Sequence, residues 1–305
     1  MTPAFRGELL LGTRASRLAL WQTDHVSRRL CEVSSTLLAR VVPLSTFGDR
    51  EVDAVLSDLG GAAFSSEIDR ALLEGQVRVA VHSLKDLPIQ DNTGIVTAAI
   101  LSRDDPRDAL ISVRDGGLAA LPSGAKVGTS SPRRRAQILA TRDDLGVEPV
   151  RGNVETRVSK AVDGPLDAVV LAAAGLNRLG LTEHIRELLP IESFVPAPGQ
   201  GALAVQCRED DDEARALLGL IDEVAVRKEV DAERTFLAAL GGGCSLPVGA
   251  LARSAGEARL ELHGFVGGSS GGECIRISSV GEDPHELGRS LAERAIGLGA
   301  RALLA

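Results

Sequence analysis

The chain has 305 residues, of which 44% are hydrophobic and 25% charged, and its formal net charge is −8. That acidic balance argues against broad nucleic-acid binding, and no apolar run reaches the roughly 20 residues needed to span a bilayer. Aromatic residues make up only 2%, so the cores must be assembled from Leu, Val, Ile and Ala, and a chain of this length is expected to hold two or three domains.

The start, Met1-Thr-Pro-Ala-Phe-Arg-Gly7, lacks a signal-peptide pattern, so the expected location is the cytoplasm. Leu9-Leu-Leu-Gly-Thr-Arg-Ala-Ser16 reads as a short buried strand running into a loop. A helix is predicted from about Ser16, with Leu18, Trp21, Val26 and Leu30 on one side. Arg14 and Ser16 thus stand where a strand ends and a helix begins, a place suited to anions, although Arg14 taken alone reads as a surface residue. Arg40–Thr46 is the next predicted strand. The stretch from Phe47 to about Ser65 has no clear periodicity and contains Gly60-Gly61, which makes it a candidate flap.

A helix over Glu67–Glu74 and a buried strand over Gln76–Val81 come next, the strand ending in His82-Ser-Leu-Lys-Asp86. Ligands of α/β sheets gather at the carboxyl ends of strands, which puts Ser83, Lys85 and Asp86 where chemistry is expected. The spacing alone fits an exposed Lys–Asp pair equally well. Ser102–Asp108 breaks the pattern, and Asp108–Val113 restarts it as a strand. Further strands are predicted at Lys126–Gly128, Pro149–Arg151 and Asp167–Ala172, and the loop Ala173–Arg178 offers Arg178 at a strand end.

Pro196–Gly201 is a second break, followed by a strand over Ala202–Cys207. Two breaks bracketing an α/β segment suggest one domain inserted into another across a two-segment hinge. After about Glu223 a helix through Ala232–Leu237 leads to Gly241-Gly-Gly-Cys-Ser245. Strands over Val248–Ala252, Arg259–Val266 and Cys274–Val280 and a helix from about Pro284 then make a small α+β domain. The expected fold is therefore α/β with three domains: 1–102 with 199–220, then 106–195, then 224–305.

The densest polar stretch is Lys126-Val-Gly-Thr-Ser-Ser-Pro-Arg-Arg-Arg-Ala-Gln-Ile138. Ser131 suits an N-cap and Pro132 the first helical position. Thr129, Ser130, Ser131 and the free amides of the turn would point at one spot, with the positive helix end behind them. Arg133, Arg134 and Arg135 follow about 100° apart, so two of the three can face one ligand. Arg151 and Arg157 flank a Gly-Asn turn and add a second basic group. An isolated Arg triplet reads as a solvated face, but hydroxyls, glycine, helix start and Arg pair on one turn read as a pocket for a small polyanion.

The four cysteines, Cys31, Cys207, Cys244 and Cys274, form no Cys-x-x-Cys pair, so neither a disulfide framework nor a zinc site is suggested. The histidines are dispersed, and no metal is expected. Cys31, Cys207 and Cys274 fall in helix or strand patterns and read as small hydrophobes. Cys244 follows three glycines, where a ligand can approach closely; nearby arginines could make it a reactive thiolate, and an inert thiol stays open. An RNA-binding reading fits poorly with scarce aromatics and net negative charge. A non-catalytic anion-binding module would need neither Cys244 on a glycine loop nor Asp86 beside Lys85.

Taken together, the motifs resemble the porphobilinogen deaminase (hydroxymethylbilane synthase) family from about Leu11 to the final helix. They are Gly12-Thr-Arg-Ala-Ser16, Val81-His-Ser-Leu-Lys-Asp-Leu-Pro88, Arg103-Asp-Asp-Pro-Arg-Asp-Ala109, Val127-Gly-Thr-Ser-Ser-Pro-Arg-Arg134, Arg151-Gly-Asn-Val-Glu-Thr-Arg157, Ala174-Gly-Leu-Asn-Arg-Leu-Gly180, Pro198-Gly-Gln-Gly-Ala202 and Gly242-Gly-Cys-Ser-Leu-Pro-Val248. The resemblance implies two α/β domains like those of periplasmic binding proteins and a third domain carrying a dipyrromethane cofactor on Cys244. It also implies a monomer that adds four porphobilinogen units to the cofactor, each losing ammonia, and then releases hydroxymethylbilane by hydrolysis.

Every pyrrole carries an acetate and a propionate, and arginine forks match carboxylates without losing charge. By resemblance, the catalytic residue is Asp86, beside the electron-poor azafulvene left when ammonia departs. Cys244, Lys85, Ser83, Asp86, Thr129, Ser130, Ser131, Arg133, Arg134 and Arg151 bind the cofactor, and Arg14, Ser16, Arg157, Arg178 and Phe64 bind substrate. One departure concerns the flap. Where the family usually has lysines, Asp58-Leu-Gly-Gly-Ala-Ala-Phe64 has Asp58 and Ala62.

Overall fold

The computed structural model describes residues 7–44, 66–243, 246–256, 258–268 and 271–305. The chain divides into two compact units, residues 1–104 with 202–227 and residues 105–201 with 228–305. The stretch expected to form the flap, with Asp58, Ala62 and Phe64, lies outside the described residues, and so does Cys244.

In the first unit, β1 (Gly7–Arg14), β2 (Leu37–Leu44), β3 (Val79–Ser83), β4 (Ile95–Leu101) and β10 (Leu203–Arg208), numbered along the chain, form a sheet ordered β2-β1-β3-β10-β4. β1 runs parallel to both β2 and β3, whereas β10 is antiparallel to β3 and β4. Alternation sorts the strand residues onto two faces. Leu9, Leu11, Val79, Val81, Leu203 and Val205 pack with Val26 and Leu30 of α1 (Arg17–Val33). The other face sets Leu10, Val42 and Ala80 against Ile68 and Leu72 of α2 (Ser66–Leu73).

The second unit repeats this plan. β5 (Asp108–Ile111), β6 (Lys126–Gly128), β7 (Gly146–Glu148), β8 (Ala168–Ala172) and β9 (Ile185–Leu188) are ordered β7-β6-β8-β5-β9. Here β5 occupies the fourth position and is antiparallel to its neighbours, as β10 is in the first sheet. Ile138 of α3 (Pro132–Thr141) covers one face with Leu110, Val127 and Val170. Val158 and Ala161 of α4 (Val154–Val162) and Leu176 of α5 (Ala173–Leu179) cover the other.

α6 (Asp212–Gly219) returns the chain to the first sheet, where Ala214 and Leu217 join its core. α7 (Val224–Ala239) leads to an antiparallel sheet of β11 (Val248–Ser254), β12 (Leu260–Gly267) and β13 (Cys274–Gly281), followed by α8 (Pro284–Gly297) and α9 (Ala300–Leu304). A Cβ on Gly264 would lie 2.7 Å from Phe236 of α7 and 3.3 Å from Leu291 of α8, so both helices press on this sheet. The expected class, two α/β sheets and a small C-terminal α+β part, is the observed one.

Three local expectations are corrected. The strand expected at Pro149–Arg151 lies at Gly146–Glu148 instead, because Pro149 has no N–H to donate to a ladder. Ala173–Arg178, expected as a loop, is helical and closes on Gly180 at φ +69°, the left-handed residue that ends many helices. The strand starting at Asp108 stops at Ile111, and Ser112 turns away to donate its hydroxyl to the carbonyl of Asp167.

Candidate functional site

In the first unit the carboxyl end of β3 passes straight into a single 3-10 turn, Leu84–Asp86. Leu84 is 1% exposed and Leu87 is 4% exposed, which anchors the turn from below. The Leu84 amide donates to the carbonyl of Ala202 at 3.1 Å, and Asp86 is left exposed. Beside it, α1 starts at its N-cap, where the Ser16 hydroxyl accepts from the Ala19 amide. Gln22, one turn further on, donates to Ser83 Oγ at 2.8 Å and so ties the helix to the strand end.

Arg14, Ser16, Gln22, His82, Ser83 and Asp86 thereby line one cleft of about 70 Å³. Lys85 belongs to the same turn as Asp86 and is half-buried. His82 lies beneath the cleft. Burial pulls its imidazole down from 6.5 to about 4, with Asp91 opposing and Arg14 assisting the shift. It is therefore neutral at neutral pH, and its Nε2 is buried with no hydrogen-bond partner among the described residues. Nothing in the sequence singles out Gln22 or His82: one sits inside an amphipathic helix pattern, and the other reads as the last core residue of its strand.

In the second unit the arginine turn folds as expected at the backbone. Ser131 caps α3, its side chain accepting from the Arg134 amide, and Pro132 opens the helix. The hydroxyls hold the turn itself: Thr129 Oγ1 accepts from the Ser131 amide, and Ser130 Oγ donates to the Val150 carbonyl while accepting from the Val150 amide. Two of the three arginines do share one anion, and that anion is the protein's own Asp108. Arg133 Nη1 reaches Oδ2 at 2.8 Å, and Arg134 reaches Oδ1 with Nε at 3.0 Å and Nη2 at 2.7 Å. Arg135 is exposed and donates to the Val147 carbonyl.

All three members of this cluster are buried, at 0% exposure for Asp108, 3% for Arg133 and 7% for Arg134. Burial alone would raise the Asp108 carboxyl, but the two guanidiniums more than reverse it and hold it well below the usual carboxylate range. Two fixed positive charges against one negative leave a surplus of one positive charge in a dry site, which favours a further anion. Asp108 is hidden in the sequence because it sits in a run of mixed charge, Arg103-Asp-Asp-Pro-Arg-Asp108, where nothing marks one aspartate as buried.

The remaining arginines stand on helix ends of the same unit. Asn153 caps α4 by accepting from the Thr156 amide, and Arg157 Nε bonds the Gly152 carbonyl at 2.7 Å. The Arg151 carbonyl accepts from Lys160 Nζ, and Arg178, on α5, donates to the Gly201 carbonyl.

Comparison with known proteins gives one result along nearly the whole chain. Residues 9–216 match the family model described as porphobilinogen deaminase, dipyromethane cofactor binding domain, and residues 227–297 match porphobilinogen deaminase, C-terminal domain. A porphobilinogen deaminase of Xanthomonas oryzae pv. oryzae is 46% identical over 300 residues, covering 97% of this chain and 98% of that one. One of Brevibacillus brevis is 44% identical, covering 98% and 97%. Among solved structures, a nutrient-binding protein from Burkholderia cenocepacia bound to methionine aligns at a TM-score of 0.46 and 16% identity over 72% of this chain and 94% of that one.

Proposed function

The chain belongs to the porphobilinogen deaminase family, and from that premise we propose how its own residues carry the reaction. It is an enzyme with porphobilinogen deaminase activity and a dipyrromethane cofactor. The proposal is that Cys244 bears that cofactor, that porphobilinogen units are added one at a time up to four with loss of ammonia, and that the product leaves as hydroxymethylbilane.

The donor set fits a group rich in carboxylates. Arg14, Ser16, Ser83 and Lys85 surround or adjoin the cleft of the first unit, and the surplus positive charge at Arg133 and Arg134 marks the second. Lys85, Ser83, Arg133, Arg134 and Arg151, with the turn of Thr129, Ser130 and Ser131, would hold the cofactor's carboxylates; Arg14, Ser16, Arg157 and Arg178 would hold those of the substrate, and Phe64 would supply an aromatic contact. When bound, the cofactor supplies the nucleophilic pyrrole on which the product is built.

Asp86 does the chemistry. Its exposed carboxylate stabilises positive charge on the substrate carbon as ammonia leaves, accepts hydrogen bonds from pyrrole N–H groups and moves the proton released on coupling. The observation that carries this reading is the meeting of Asp86 with Arg14, Ser16 and Ser83 around one cleft. In domain terms, residues 1–102 with 199–220 supply the catalytic turn, 106–195 the arginines and 224–305 the cysteine. No helix among the described residues is long and apolar enough to cross a membrane. We read the protein as a cytoplasmic monomer.

The test is the intact mass of the purified protein beside Cys244→Ser. A mass excess equal to two linked pyrroles, absent from the variant, is expected. A bare polypeptide mass that stays unchanged on incubation with porphobilinogen would overturn the assignment.

A further inference from the structure

Asp108 does more than pair with two arginines, because a third donor reaches it. Gln200 Nε2 donates to Asp108 Oδ1 at 2.9 Å and to the Pro106 carbonyl at 2.7 Å. Gln200 is itself 0% exposed and follows Gly199, whose amide donates to Glu233 Oε2 at 2.7 Å. Glu233, on α7, is also 0% exposed, and its other oxygen accepts from the Ala252 amide of β11 at 2.8 Å. Buried hydrogen bonds, linked by the backbone between Gly199 and Gln200, therefore connect the C-terminal sheet through Glu233, Gly199, Gln200 and Asp108 to the arginine pair.

The segment that carries Gln200 is clamped from two other sides. Gln137 of α3 exchanges hydrogen bonds with Val195, and the Ala250 amide donates to the Pro196 carbonyl. β11 comes so close that a Cβ on Gly249 would lie 2.8 Å from the Val195 carbonyl oxygen and 3.2 Å from Arg133 Cδ.

A carboxylate held by several donors has one orientation, and a guanidinium bonded to it inherits that orientation. We propose that Glu233 is a positioning residue for the arginine pair, acting through Gly199, Gln200 and Asp108 to fix where the surplus positive charge of Arg133 and Arg134 is presented. Glu233 has no contact with substrate in this scheme. Replacing one of its acceptor oxygens by an amide NH2 sets a donor against a backbone N–H, so either Gly199 or Ala252 loses its partner. The strain then passes to Gln200 and Asp108. The inference rests on the reading that Arg133 and Arg134 hold carboxylates of cofactor or substrate.

The experiment compares wild type, Arg134→Gln, Glu233→Gln and Gln200→Leu as full-length proteins. It measures the fraction of folded chain carrying cofactor by intact mass, KM and kcat for porphobilinogen, and Tm. Glu233→Gln and Gln200→Leu are expected to raise KM or lower cofactor loading about five- to tenfold, with kcat of the loaded fraction within about twofold of wild type. A lowered Tm with loading and KM unchanged in both variants would mean that this connection is only structural, and would overturn the inference. Unchanged loading and KM in Arg134→Gln would overturn the arginine reading itself. Gln200→Leu keeps the test decisive if Glu233→Gln does not fold, since it removes the donor to Asp108 and leaves Glu233 intact.

Discussion

Arg134 places two donors, Nε and Nη2, on a single oxygen of Asp108, while Arg133 takes the other oxygen, and all three side chains are buried. Such a cluster is only conditionally stable. Removing one partner leaves its opposite charges desolvated and uncompensated, which typically costs about 3–5 kcal/mol. Asp108→Ala is expected to destabilise the protein by that amount, read from the midpoint shift in urea unfolding. A loss below about 1 kcal/mol would mean that water enters the cluster and the charges are not dry.

His82 gives a separate acid sensitivity. Its folded value of about 4 lies below its ordinary 6.5, so between those limits the unfolded chain binds the extra proton. Stability from His82 is complete above about pH 6.5 and is lost as pH falls towards 4, by roughly 3 kcal/mol in all. Asp108, also depressed, adds its own loss only below the ordinary carboxylate range. The groups acting on His82 are Asp91, which opposes the shift, and Arg14, which adds to it. In His82→Gln the fall of Tm between pH 6.5 and 4 should be markedly shallower than in wild type; an unchanged slope would refute the assignment.

These two residues also show what can be read from the sequence. The helix starts at Ser16 and Ser131 are legible because an N-cap needs only its own hydroxyl and an amide three residues on, a relation local in the chain. The grouping of Arg14, Ser16, Ser83 and Asp86 follows from strand ends, since parallel strands bring their carboxyl ends together whatever the sequence between them. Asp108 is not legible as the arginines' partner, because the ion pair spans 25 residues and depends on β5 entering the sheet beside β8. Glu233 and Gln200 are hidden for the same reason: each looks like an ordinary polar residue until its partner arrives from another segment. The strand expected at Pro149 is displaced by a local rule that the sequence does contain, the missing amide of proline.

Asp86→Asn separates charge from shape at the turn proposed to carry the chemistry. The amide keeps the size and most hydrogen bonds of the carboxylate but cannot stabilise a cation. Since Asp86 is exposed on a turn anchored by Leu84 and Leu87, the fold should be unaffected. The expected outcome is a fall in kcat of at least about a hundredfold, the scale of a positioned acid–base group, with Tm and cofactor mass unchanged. Turnover within about threefold of wild type would remove Asp86 from the mechanism.

Gly288 tests the packing of the C-terminal part, where α8 crosses α7 at close range. A Cβ at Gly288 would lie 2.6 Å from the Ala232 carbonyl oxygen, 2.7 Å from Thr235 Cβ and 2.9 Å from the Phe236 amide nitrogen. Two of these three atoms are backbone, so no side-chain rotation relieves the clash and the helices must separate. Helix propensity favours alanine over glycine by up to about 1 kcal/mol, whereas overpacking of a fixed core typically costs about 1–3 kcal/mol. Gly288→Ala should therefore be destabilising on balance. At Gly297, the end of the same helix, an added Cβ would meet nothing within 4 Å, and the backbone has no positive φ. Gly297→Ala thus carries only the propensity gain and should be neutral or slightly stabilising. Chemical denaturation of the two variants side by side decides the point: opposite signs are expected, and a Gly288→Ala protein as stable as wild type would mean that the two helices do not meet as closely as their backbones indicate.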